Sequence, residues 1–255
     1  MIYIATHKKF NNPQLQNYCP IHVGATRGDD LGYERDDHGE NISSKNPNYC
    51  ELTGLYWIWK NSIDPYKGLV HYRRYFGRGS FLGKKKTIYS YDVLVQLLKD
   101  GNDIILPKKE FFLQSAKEEI LISCCTPDIF EKLQQCVKKI YPEYMDSFEN
   151  FFNQNKCSLF NMMFCKAEYF DQYCNWLFDI LFELEGKIDL VALNNYQKRI
   201  FGFLSERLLN VWVSHNHLQV KYMNVINTEM TIKERVILCR RRFTNRIRYK
   251  VRNLG

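Results

Sequence analysis

No stretch of the 255 residues approaches 18 uninterrupted apolar residues, so no bilayer-spanning helix is expected. A secretory leader is missing as well. The short apolar run Met1–Ala5 precedes Lys8 and Lys9, the reverse of the order that secretion needs. The nine cysteines are odd in number and scattered, with no CxxC pair and no zinc-finger spacing. That pattern argues for reduced thiols in a cytosol and against a disulfide scaffold. There is no G-x-x-x-x-G-K-[ST] loop, which removes the P-loop version of nucleotide chemistry. Internal repeats and low-complexity segments are lacking too.

Net charge is nearly missing from most of the chain. Residues 233–252 hold nine Lys or Arg and one acid, Glu234, which equals the entire net charge of +8. The remaining 27 basic and 27 acidic residues cancel. What is abundant is aromatic: 17 Tyr and 17 Phe, residues that build cores and also stack on the C–H faces of sugars. Length fits one domain, read as 1–228, with a basic tail or helix at 229–255.

Apolar periodicity predicts strands at 2–5, 21–25, 68–72, 103–106, 160–165 and 219–225, with a long polar loop over 26–47. Helices are expected at 48–61, 91–99, 127–139, 142–153, 168–184 and 195–213. Asn48 reads as the N-cap of the first, with Glu51 completing a capping-box pattern. On 168–184 the residues Phe170, Tyr173, Leu177, Ile180, Leu181 and Leu184 share one face. Strands alternating with helices imply an α/β fold with a mainly parallel central sheet.

In such sheets ligands bind at the carboxyl ends of strands. Three ends carry chemistry: Thr6-His7; Gly24-Ala25, leading into Arg35-Asp36-Asp37 and Asn41; and His71-Tyr72-Arg73-Arg74. The arginine pair is either a surface feature or a bidentate clamp for a diphosphate. Asn161 lies in an apolar stretch, where an amide needs a partner or a ligand. Glu206 and Arg207 form either a solvated pair or, through Glu206, a base or stabiliser of a cationic sugar transition state. His215-x-His217 is read as loop or strand edge.

Taken in order, Arg35-Asp36-Asp37, Asn41-Ile42-Ser43, Lys45 through Thr53, Leu55 through Asn61, and His71 through Phe76 form a familiar series. Asn161-Met162, Tyr173 through Phe178, Tyr196-Gln197-Lys198-Arg199 and Gly202 through Leu208 continue it. Over residues 1–226 the chain resembles a bacterial family of capsule and exopolysaccharide gene clusters, once catalogued as a domain of unknown function and now regarded as glycosyltransferases. The resemblance implies a single GT-A-like (Rossmann-like) domain and a hexosyltransferase using a UDP-linked nucleotide-sugar donor, with UDP-galactose the donor associated with relatives. Its acceptor is then a lipid-linked oligosaccharide or growing polysaccharide.

On that reading Glu206, Arg73 and Arg74 are catalytic. Thr6, His7, Gly24, Ala25, Arg35, Asp36, Asp37, Asn41, Asn48, His71 and Tyr72 bind the donor, and Asn161, Gln197 and Arg199 meet the sugar or acceptor. Many GT-A enzymes clasp a divalent metal with Asp-x-Asp. Here the comparable strand ends in Arg73-Arg74, so metal independence is expected, with Glu34, Asp36 and Asp37 as the fallback ligands.

In the tail, Val236, Phe243, Ile247 and Val251 recur between cations, the pattern of a basic amphipathic helix on an anionic membrane. This places the protein at the cytoplasmic face of the cell membrane. Two rivals use the same features: a nucleic-acid binder working through the tail, and another nucleotide-diphosphate-dependent transferase. The neutral body counts against nucleic acid, which is not expected as a partner.

Overall fold

The computed structural model describes residues 1–79 and 86–252, with side chains to 247. Twelve strands are present among the described residues: β1 (Ile2–Thr6), β2 (Tyr18–His22), β3 (Glu34–Arg35), β4 (Tyr66–His71), β5 (Arg74–Gly79), β6 (Lys86–Ile88), β7 (Ile104–Pro107), β8 (Glu110–Phe111), β9 (Lys156–Cys157), β10 (Met163–Lys166), β11 (Val220–Met223) and β12 (Val225–Asn227). The helices are α1 (Asn46–Tyr49), α2 (Leu52–Asn61), α3 (Tyr91–Lys99), α4 (Ala116–Ser123), α5 (Pro127–Ile140), α6 (Met145–Phe152), α7 (Ala167–Glu185), α8 (Ile200–His215) and α9 (Ile232–Arg252).

The main sheet runs β11-β7-β10-β4-β1-β2-β3. Pairing is parallel between β11 and β7 and from β4 through β1 and β2 to β3, and β10 alone runs against both neighbours. The expected mainly parallel α/β sheet is therefore present. Every residue of β1 is buried, as a strand covered on both faces requires. Its alternation splits the interior: Tyr3 and Ala5 face a large core under α2 and α4–α8, whereas Ile2 and Ile4 face a smaller one that includes Leu94 and Leu98 of α3. Gly68 lets β4 and β10 approach closely, since a Cβ there would sit 2.8 Å from the Met163 carbonyl.

Several elements depart from the periodicity. β2 ends at His22, so 23–25 turns away, with Gly24 left-handed at φ 71°. The helix expected over 48–61 is broken: Cys50, at φ 52°, separates α1 from α2. Asn48 therefore lies inside α1, where it donates to the Lys198 carbonyl at 2.9 Å and caps nothing. The strand expected from Phe160 begins only at Met163, because Phe160 and Asn161 are left-handed, at φ 82° and 50°. α8 starts at Ile200, after a 3-10 turn over 197–199. The tail is helical through Arg252; Val251 of its expected stripe lies outside the described side chains. No disulfide links the nine cysteines, and among the described residues no helix is long and apolar enough to cross a membrane.

Candidate active site at the strand ends

β1 is flanked by β2 on one side and β4 on the other, so the strand order reverses there, the point at which open α/β sheets hold a ligand crevice outside the carboxyl ends. β4 delivers His71 to it. The chain then reverses through Tyr72 and Arg73, and Arg74 opens β5 opposite His71. The two arginines thus part company. The Arg74 guanidinium lies 4.6 Å over the Phe160 ring, and Arg73 lies 5.5 Å over Tyr72. Arg73 Nε is buried without a hydrogen-bond partner, as is Nδ1 of His22 at the end of β2. Unpartnered buried polar atoms are rare, and two at one strand-end face mark a place for a polar ligand.

Glu206, in the first half of α8, stands at this end of the sheet, near Arg74 and Glu51. One carboxylate oxygen accepts from the Phe160 amide at 2.9 Å, and the other from Arg207 at 2.8 Å. Burial pushes its pKa from the ordinary 4.5 up to about 7, against the opposing pull of Arg207; the nearby Glu51 adds to the rise and Arg74 opposes it. Arg207, only 5% exposed, also grips Glu119 of α4 at 2.5 Å. Burial alone would lower its pKa, but the Glu206 carboxylate holds it above its ordinary value. Of the two alternatives for this pair, the solvated one does not hold, because both side chains are largely interior. The left-handed Phe160-Asn161 step is fixed by side chains. Asn161 donates to Glu51 at 2.8 Å and to the Gly202 carbonyl at 3.0 Å, and Ser205 donates to Asn161 at 2.9 Å. His71 meets the Phe160 carbonyl at 2.5 Å, and its pKa is lowered by burial against the pull of Glu51.

The mouth is basic. The pKa of His7 is lowered by burial, then by Lys8, Arg73, Arg199 and His22. His7 meets Tyr72 edge-on at 5.5 Å, and Lys8 lies 4.8 Å over the same ring. Arg199 donates to Cys50 Sγ at 3.3 Å, tying the strained step before α2 to the start of α8.

Other expected site residues serve the scaffold. The Asp36 carboxylate, fully buried, accepts from the amides of Gly24 (2.8 Å) and Ala25 (3.0 Å) and from Ser43 (2.5 Å). Those two amides are thus spent on Asp36. Arg35 forks onto Asp37 at 3.0 and 2.7 Å, and Asn41 bonds the carbonyls of Asp37 and Gly39. Thr6 braces Lys8, and Gln197 closes a turn with Asn194. Glu34 is exposed on the edge strand. Glu34, Asp36 and Asp37 therefore do not fit a divalent metal, because Asp36 and Asp37 are already occupied. Among the described residues no group of three His, Cys, Asp or Glu is placed to hold one. His215 stacks on Tyr144 at 3.6 Å, away from the crevice. Sequence reasoning missed His22 and Glu119 and gave Glu51 only a capping role. Only Glu51 had a visible signal, standing beside a helix start at a strand end.

Among solved structures, the chain is similar to the WbbM bifunctional glycosyltransferase in its apo form, with a TM-score of 0.79 and 29% identity. The match covers 90% of this chain and 45% of that one, so the chain spans less than half the length of that enzyme. No curated protein matches the chain. The family model described as a domain of unknown function, DUF4422, matches residues 1–217, and the chain belongs to that family.

Proposed function

We propose that this chain is a glycosyltransferase that moves a hexose from a nucleotide-sugar donor, with the donor diphosphate in the crevice between β1 and β4. One observation carries the reading. Glu206, with a pKa near 7, shares a strand-end crevice with two arginines, one of which has a buried and unpartnered Nε. A carboxylate of that pKa accepts a proton from an attacking hydroxyl at neutral pH, and fixed guanidinium groups stabilise the charge growing on a leaving diphosphate. The likeness of the fold to one part of a bifunctional glycosyltransferase supports the same reading. The arginines take the part that a metal plays in many GT-A enzymes.

The acceptor in this reading is a lipid-linked or growing surface polysaccharide at the cytoplasmic membrane face. The basic helix α9 would hold the enzyme there. The deciding experiment is a donor screen with release of nucleoside diphosphate as readout, starting with UDP-galactose and other UDP-hexoses. Turnover of at least one, lost in Glu206→Gln, is the expected outcome. Binding of no nucleotide sugar by a folded protein would sink the proposal.

A further inference from the structure

Three of the four tryptophans, Trp59, Trp176 and Trp212, line a single open groove of about 530 Å³. It lies far from the crevice. Asn216 on its rim follows the end of α8, ten residues past Glu206, or roughly 15 Å along the helix axis. The aromatic walls are set before any ligand arrives. Trp59 lies parallel to Phe178 at 5.9 Å, and Tyr141 is fixed by donating to Asp179 at 2.6 Å. Glu143, Gln172 and Asn175 stand exposed around them, and no Lys or Arg contributes to the lining.

This chemistry selects a ligand class. A phosphate or nucleic acid would meet the carboxylates of Glu143 and Asp171, and the cations beside the lining are already engaged, Lys67 on Asp171 at 2.8 Å and Lys60 over the Trp59 ring at 3.6 Å. A neutral sugar chain finds the half-buried rings of Trp59 and Tyr141 for its C–H faces, and amides and carboxylates that donate to and accept from its hydroxyls. A second, independent feature also points to a ligand. Trp176, only 3% exposed, lines the groove with an indole N–H that has no partner. A buried donor of this kind is costly to leave unmade, and a sugar hydroxyl reaching into the groove would satisfy it.

We infer that this groove is a second glycan-binding site, which holds a neutral stretch of oligosaccharide at the end of the domain away from the crevice. Its use in retaining a growing acceptor rests on the proposed function; the binding itself does not.

The test is titration of the full chain with neutral tetrasaccharides of galactose and of glucose, without donor, followed by tryptophan fluorescence and calorimetry. Binding of one of them is expected, unchanged by added UDP. Trp176→Phe, and separately the exposed pair Gln172→Ala with Asn175→Ala, should each weaken it by at least about fivefold, the loss of a single hydrogen bond. Donor hydrolysis should stay at the wild-type level in both variants. Competition by UDP, equal binding by wild type and both variants, or binding of neither sugar at millimolar concentration would overturn the inference. Glycan binding by a protein that turns over no nucleotide sugar would retain the groove and reject the glycosyltransferase reading.

Discussion

Glu206 is where pH should act, in two separable ways. As the base of the proposed reaction it would work only when ionised, so kcat/KM should rise with pH through about 7 and then level off. Glu206→Gln should abolish that limb and cut turnover far more than donor affinity, the pattern of an interaction made mainly in the transition state. Stability should move the other way. Since the folded pKa lies above the ordinary 4.5, the stability linked to this proton is fully present below pH 4.5 and is lost as pH rises through 7. The displacement corresponds to about 3 kcal/mol. Denaturant titrations at several pH values should show that decline in wild type and a flatter profile in Glu206→Gln. The arginines should separate by readout. Arg73→Ala should weaken donor binding or turnover by at least about tenfold, because its guanidinium has an open donor at the mouth. Arg74→Ala should push the pH limb upward, since Arg74 is among the charges that keep the Glu206 pKa down. Wild-type donor kinetics and an unmoved limb would remove both arginines from the site.

At the scale of elements, α4 reaches the Glu206–Arg207 pair through Glu119, which Arg207 grips at 2.5 Å. Without Glu119, Arg207 would have Glu206 as its only carboxylate partner. Glu119→Ala should therefore destabilise the fold by about 1–3 kcal/mol and shift the pH limb downward. A stable variant with an unmoved limb would show that α4 does not reach the site. This helix was legible in principle: Ser115 and Glu118 form a full capping box. Its weakly amphipathic sequence hid it from a reading based on periodicity. The long helix α7 was plain because Phe170, Tyr173, Leu177, Ile180, Leu181 and Leu184 all repeat on one buried face. What stayed hidden was left-handed backbone. Cys50, Phe160 and Asn161 adopt positive φ without being glycine, and long-range bonds from Arg199, Glu206 and Glu51 accompany those conformations. No local pattern reports such bonds. The same gap explains Asp36. Its charge suggested a ligand site, but the amides of Gly24 and Ala25 and the Ser43 hydroxyl fill it. Activity is accordingly expected to survive EDTA; complete loss, restored by manganese or magnesium, would require a metal held by other groups.

Across the whole molecule, charge and exposed apolar surface converge on α9. The body is neutral, and residues 233–252 carry the full +8. Arg242 pairs with Glu110, and Asn245 donates to the Phe111 carbonyl at 2.8 Å, which fixes one side of the helix to β8. On another side Ile232, Val236, Phe243 and Ile247 are exposed, and at 100° per residue they fall within about 60° of arc. An apolar stripe edged by cations suits the interface of an anionic bilayer. Each surface cation adds on the order of 1 kcal/mol there, and the attraction is screened within about 8 Å at physiological salt. The full chain should therefore co-sediment with phosphatidylglycerol vesicles, less so as salt rises. Phe243→Ser with Ile247→Ser should weaken that partition by at least about tenfold without unfolding the body, since both side chains are exposed. Transfer to a short soluble acceptor should persist in the double variant, whereas transfer to a vesicle-embedded acceptor should fall. Equal, salt-insensitive sedimentation of wild type and variant would show that α9 is no membrane anchor. Strong oligonucleotide binding without vesicle binding would assign the basic helix to nucleic acid instead.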